Sequence, residues 1–62
     1  MISRIQFDVL ASLATKPATT QRELAANAGL SLGSANRAVR ELRGRGLLAE
    51  DLALTDAGAD LL

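Results

Sequence analysis

Apolar residues recur along this chain at three- and four-residue spacing in three successive stretches, and the spacing tightens only towards the C-terminal end. In the first stretch Ile2, Ile5, Val9, Leu10 and Leu13 follow a helical period. Ser3 stands ready as its N-cap, Gln6 three residues later completes a capping-box pattern, and Pro17 stops it. Lys16 to Thr19 reads as a loop or a very short extended piece. The residue before a proline leaves the α region, and the β-branched Thr19 and Thr20 favour extended backbone. A second helix is predicted after Thr20, which pairs with Glu23 in another capping-box pattern. Leu24, Ala25 and Ala28 give it an inward face small enough for a close helix crossing. Gly29 ends it, since glycine takes the left-handed conformation at a sharp turn while Leu30 packs back under the junction.

Ser31 or Ser34 can cap the third helix, in which Ala35, Ala38, Val39 and Leu42 recur with core-facing periodicity. Gly33, Asn36, Arg37 and Arg40 recur with the same spacing on another face, so the two faces are expected to serve different purposes. Gly44 and Gly46 close the helix. The order Leu47–Leu48, a polar tip at Glu50 and Asp51, then Leu52 and Leu54 predicts a small β-hairpin over about residues 47–54. Thr55 can cap a final short helix from Asp56 to Leu62, with Asp56 near its positive end and Leu61 and Leu62 available to pack. The expected fold class is therefore mainly α with a small β-hairpin, as one domain over residues 1–62 without repeats or a low-complexity linker.

A chain of 62 residues buries only about 60% of the surface its unfolded form exposes, so stability is marginal and no separate catalytic domain fits. The sequence has no cysteine and no histidine, which removes disulfides, thiolate metal sites, the commonest zinc ligands and the usual general base. Stability must come from aliphatic packing: 48% of residues are apolar, yet Phe7 is the one aromatic, which also makes stacking of single-stranded bases an unfavoured mode. No metal and no cofactor is expected. The pair Asp56 and Asp60, one turn apart, resembles catalytic carboxylates only superficially, and P-loop, dinucleotide and zinc motifs are missing. The expectation is a protein that is not an enzyme.

The net charge of zero argues against a domain that binds polyanions simply by being basic throughout. The distribution is uneven, however. Arg4, Lys16 and Asp8 give residues 1–20 a charge of +1; five arginines against Glu23 and Glu41 give residues 21–46 +3; Glu50, Asp51, Asp56 and Asp60 give residues 47–62 −4. No apolar run reaches the ~20 residues that span a bilayer, and no signal-peptide pattern opens the chain, so a cytoplasmic location without membrane contact is the default expectation.

Two short helices joined by a glycine turn, over about residues 20–44, form the layout of a helix-turn-helix, whose second helix can lie in the DNA major groove. The run from Gln21 to Leu48 resembles MarR-type transcriptional regulators, in which a phrase like REL (Arg22 to Leu24) and a glycine turn lead into the recognition helix. The segments ELRGRGLL (Glu41 to Leu48) and LTDAG (Leu54 to Gly58) are likewise similar to that family's helix end, wing and following helix. The resemblance implies a winged helix-turn-helix with a three-helix core. It also implies that Ser31, Leu32, Gly33, Ser34, Asn36, Arg37 and Arg40 fall at or near DNA-facing positions. Their chemistry suits this in part: Asn36 can bond the N6 and N7 edge of adenine, Arg37 or Arg40 can bond O6 and N7 of guanine, and Ser31 and Ser34 suit phosphates near a helix N-terminus. Arg22, Arg43 and Arg45 are candidate phosphate contacts.

Each of these residues also has a plainer reading. Arg37 can pair with Glu41 on a solvated helix face, Arg43 and Arg45 can simply complement the helix dipole, Arg22 can be merely exposed, and Gly33 can merely start a helix. The acidic tip at Glu50 and Asp51 would repel phosphate where a DNA-touching wing is expected to carry cations, and the chain lacks the extra helices with which MarR-type proteins dimerise. The principal expectation is sequence-specific binding of double-stranded DNA by the third helix, as a module of a transcriptional regulator, with a homodimer needed for tight binding. The alternative is a protein-interaction or dimerisation module using Leu32, Leu61–Leu62 and the acidic wing, of the kind appended to larger enzymes such as nucleotidyltransferases.

Overall fold

The computed structural model describes residues 2–62. Its elements are α1 (Arg4–Thr15), α2 (Gln21–Ala28), α3 (Leu32–Gly44) and α4 (Asp56–Asp60). The first three pack pairwise on one another, and α4 rests against α1.

The helix ends follow from their capping residues. Ser3 and Gln6 form the full reciprocal box at the start of α1: the Ser3 hydroxyl accepts from the Gln6 amide and the Gln6 side chain accepts from the Ser3 amide, each at 3.1 Å. Lys16, forced extended by Pro17, ends it. At α2 the Thr20 hydroxyl caps the Glu23 amide, but the Glu23 carboxylate accepts from the Thr19 amide at 2.8 Å, so the second half of the expected box is displaced by one residue. Both helices flanking the central turn end in the same way. Gly29 and Gly46 adopt left-handed φ values of 70° and 74°. The next residues, Leu30 and Leu47, donate back to the carbonyls of Ala25 and Leu42 at 2.9 Å, the Schellman arrangement. Each of these leucines is thereby turned inward. Of the two possible caps for α3, Ser31 is the one used, accepting from the Ser34 amide at 3.1 Å.

The core gathers Val9, Leu10 and Leu13 of α1, Leu24 of α2, Ala38, Val39 and Leu42 of α3, and Ala18, Leu47, Leu48 and Leu52 from the connections. Three expectations change here. Ile5 is exposed, because Gln6 takes the inward position in line with Val9, Leu10 and Leu13. Leu61 and Leu62 are also exposed, since α4 ends at Asp60 before its second turn can carry them to the core. The expected β-hairpin amounts to one antiparallel bridge between Leu48 and Leu54, with no longer strand among the described residues.

The reason for that short pairing lies in the backbone of residues 46–52. Leu47 spends its amide on the α3 cap, and its carbonyl accepts from Thr55 at 3.4 Å, so only Leu48 is left before the chain turns. The turn closes through Leu52 to Ala49 at 3.2 Å and Ala49 to Ala53 at 2.9 Å. It requires a left-handed residue at its fourth position, and Leu52 takes it with φ 66°. A side chain in that region costs about 1–2 kcal/mol. Burying the Leu52 side chain to 5% exposure contributes about 1.5–3 kcal/mol, which offsets the strain.

Candidate nucleic-acid interface

At about 100° per residue, Asn36, Arg40, Gly33 and Arg37 fall in that angular order around α3, opposite the buried Ala35, Ala38, Val39 and Leu42. All four are exposed, as is Leu32 at the first helical position. Ser31 is committed as the cap, and its hydroxyl also donates to the Ser34 hydroxyl at 3.0 Å. The proton of Ser34 is then left to donate outward from the first turn, where the helix carries its positive end.

What keeps the cationic face open is a contact on its far side. Glu41 stands four residues after Arg37, the spacing of a helical ion pair, yet its carboxylate accepts instead from the Gln6 side-chain amide of α1 at 2.8 Å. Gln6 is itself buried and fixed by the Ser3 cap, so the carboxylate is held towards α1. An ion pair joins Arg4 to Asp8, and neither Arg37 nor Arg40 has an ion-pair or hydrogen-bond partner among the described residues.

The two exposed arginines do not open onto the same recess. Asn36 and Arg40 line a cleft of about 340 Å³ with Arg43, with Gln21 at the start of α2, and with Glu50 at the tip of the turn after α3. Arg37 and Ser34 border a smaller groove of about 120 Å³ against the start of α1. Together the residues form a ridge with a recess on either side. Arg43, a candidate phosphate contact, directs its guanidinium to the carbonyls of Glu50 and Ala49 at 2.6 and 3.4 Å. Arg22 is exposed beside Gln21, and Arg45 is exposed at the C-cap of α3.

Gln21 is absent from the residues singled out in the sequence, whereas Glu50 is read there only as part of an acidic tip and not as a neighbour of Asn36 and Arg40. Gln21 carries a sequence signal, because it directly follows the Thr20 cap and so starts the helix that crosses α3. Its side-chain oxygen is enclosed without a hydrogen-bond partner. The charge of Glu50 is legible in the sequence, but its place in the cleft with Asn36 and Arg40 depends on the turn geometry at Leu52.

Three packed helices, a glycine turn between the second and third, and an exposed polar ridge on the third define a helix-turn-helix of the nucleic-acid-binding class. The chain belongs to the winged helix-turn-helix DNA-binding family, whose model matches residues 2–49. That span takes in α1, α2, α3 and the entry to the following turn, and it stops short of Glu50 and α4. No curated protein and no solved structure gives a significant match. No helix among the described residues is long and apolar enough to cross a membrane.

Proposed function

We propose that this domain binds double-stranded DNA in a sequence-specific manner, with α3 in the major groove, as the DNA-reading module of a cytoplasmic transcriptional regulator of MarR-like type. The observation that carries this reading is the exposed ridge of Asn36, Arg37 and Arg40, whose two arginines form no ion pair, Gln6 holding the carboxylate of Glu41 that stands one turn from Arg37. An arginine that serves only as a solvated helix-face charge would gain from pairing with a carboxylate one turn away. Here the fold forgoes that pair. The chemistry of the domain is recognition and not catalysis, with Ser34 and Arg22 suited to phosphates and Asn36 and Arg40 suited to base edges. The bridged turn at residues 47–54 takes the place of the wing, reduced to its smallest form.

A single ridge makes few contacts, so the regulator acts as a homodimer placing two copies on half-sites about 34–36 Å apart. Exposed Phe7, Leu61 and Leu62 offer apolar surface for such an association or for an adjoining domain. Selection of duplexes from a random pool tests the specificity. The expected result is enrichment of a short motif, with Asn36→Ala losing about 10–100-fold discrimination at one position. A pool that emerges without any preferred base, while still binding tightly, contradicts base reading by α3.

A further inference from the structure

We propose that Glu50 is a specificity-determining residue, a fixed negative charge beside the recognition ridge that suppresses binding to DNA of the wrong sequence; this rests on the DNA-binding reading above. The acidic turn is not a loose tip. Its hydrogen bonds from Ala49 to Ala53 and from Leu52 to Ala49 close it, the Asp51 carboxylate accepts from the Ala53 amide at 3.2 Å, and Leu52 anchors it in the core. Arg43 adds a further tie by donating to the Glu50 carbonyl at 2.6 Å. Arg43 is thus a positioning residue, holding in place the backbone that carries the Glu50 carboxylate.

The two acidic residues of this turn line different recesses. Glu50 lines the cleft with Asn36 and Arg40, whereas Asp51 lines a separate groove with Leu13, Pro17 and Leu52. A duplex seated on Asn36 and Arg40 therefore brings its backbone towards Glu50 and not towards Asp51. A carboxylate there repels phosphate, which carries the sequence-independent part of the affinity. It tolerates the amino groups that cytosine and adenine present in the major groove, because those are hydrogen-bond donors. The net result is that Glu50 subtracts more from indiscriminate binding than from correct binding. Two unit charges about 8 Å apart in water change an equilibrium by roughly two- to threefold, which sets the scale for each phosphate in reach.

Asp51 provides a control of equal charge. Fluorescence anisotropy with a random-sequence duplex at low and at physiological salt compares the unaltered domain with Glu50→Gln and Asp51→Asn. Asparagine keeps the oxygen that caps Ala53, and Glu50 uses only its carbonyl in the turn, so thermal melts of both variants match the parent. Glu50→Gln is expected to bind about two- to threefold more tightly at low salt, an advantage that shrinks as salt rises, while Asp51→Asn changes affinity by less than half as much. Equal effects of the two variants, no gain for Glu50→Gln in a domain that binds DNA, or an equal gain on the duplex motif enriched from the random pool, overturn the proposal. Failure of all three proteins to bind at low salt overturns the DNA-binding reading itself, and this inference with it.

Discussion

Replacing Gly58 by alanine should destabilise the domain, although the residue lies in a helix, where alanine is normally preferred. A Cβ at Gly58 would collide with the Leu47 carbonyl oxygen and lie 3.1 Å from its carbon. Neither partner can yield by rotating a side chain, since both are backbone. The segment is further tied by Thr55, which donates to the Gly46 carbonyl at 2.7 Å and accepts from the Gly58 amide at 3.0 Å. The start of α4 must move away, at about 1–3 kcal/mol for overpacking and about 1 kcal/mol for the stretched Thr55 bond. Alanine's helix propensity returns up to about 1 kcal/mol. The net loss is about 2 kcal/mol, or about 8–16 °C in melting temperature for a domain of this size. Gly33→Ala is the matched control: nothing lies within 4 Å of its would-be Cβ, so the same chemical change should stabilise α3 by about 0.5–1 kcal/mol. Far-UV circular dichroism melts of the two variants decide the matter. A Gly58→Ala protein melting at or above the parent, or two shifts of the same sign, would refute the packing of α4 on Leu47.

Gln6→Ala removes the bridge between the α1 cap and Glu41, at a cost of about 1–3 kcal/mol. It also frees Glu41 to pair with Arg37, so low-salt DNA affinity should fall as well; an unchanged melt and unchanged affinity would show that the bridge does not operate. Arg43→Ala should speed amide hydrogen exchange at Ala49 and Ala53 by releasing the turn.

The features legible in the sequence were those set by neighbours in the chain. Ser3 with Gln6, Pro17, Gly29 and Gly46 mark helix ends through local backbone chemistry, and the core-facing face of α3 follows from periodicity alone. What escaped was decided by distant partners. Whether Glu41 turns to Arg37 or to Gln6 depends on how α1 lies across α3, which spacing within α3 cannot reveal. The hairpin shrank to one bridge because Leu47 serves the α3 cap and Thr55 at once, and no glycine signalled the left-handed residue at Leu52. In the same way, Arg40 and Arg37 share an exposed face on a helical wheel, yet Gln21, Glu50 and the start of α1 divide that face into two recesses.

That α3 carries the DNA contact is tested most directly by fluorescence anisotropy of the domain with duplex DNA across a range of salt, beside the Arg37→Ala, Arg40→Ala double variant. Both side chains are exposed and without partners, so the variant should melt like the parent. The expected result is affinity that falls steeply with salt in the parent and is lost in the folded variant. Binding that survives the double substitution, or that is indifferent to salt, would contradict a DNA-reading role for this ridge.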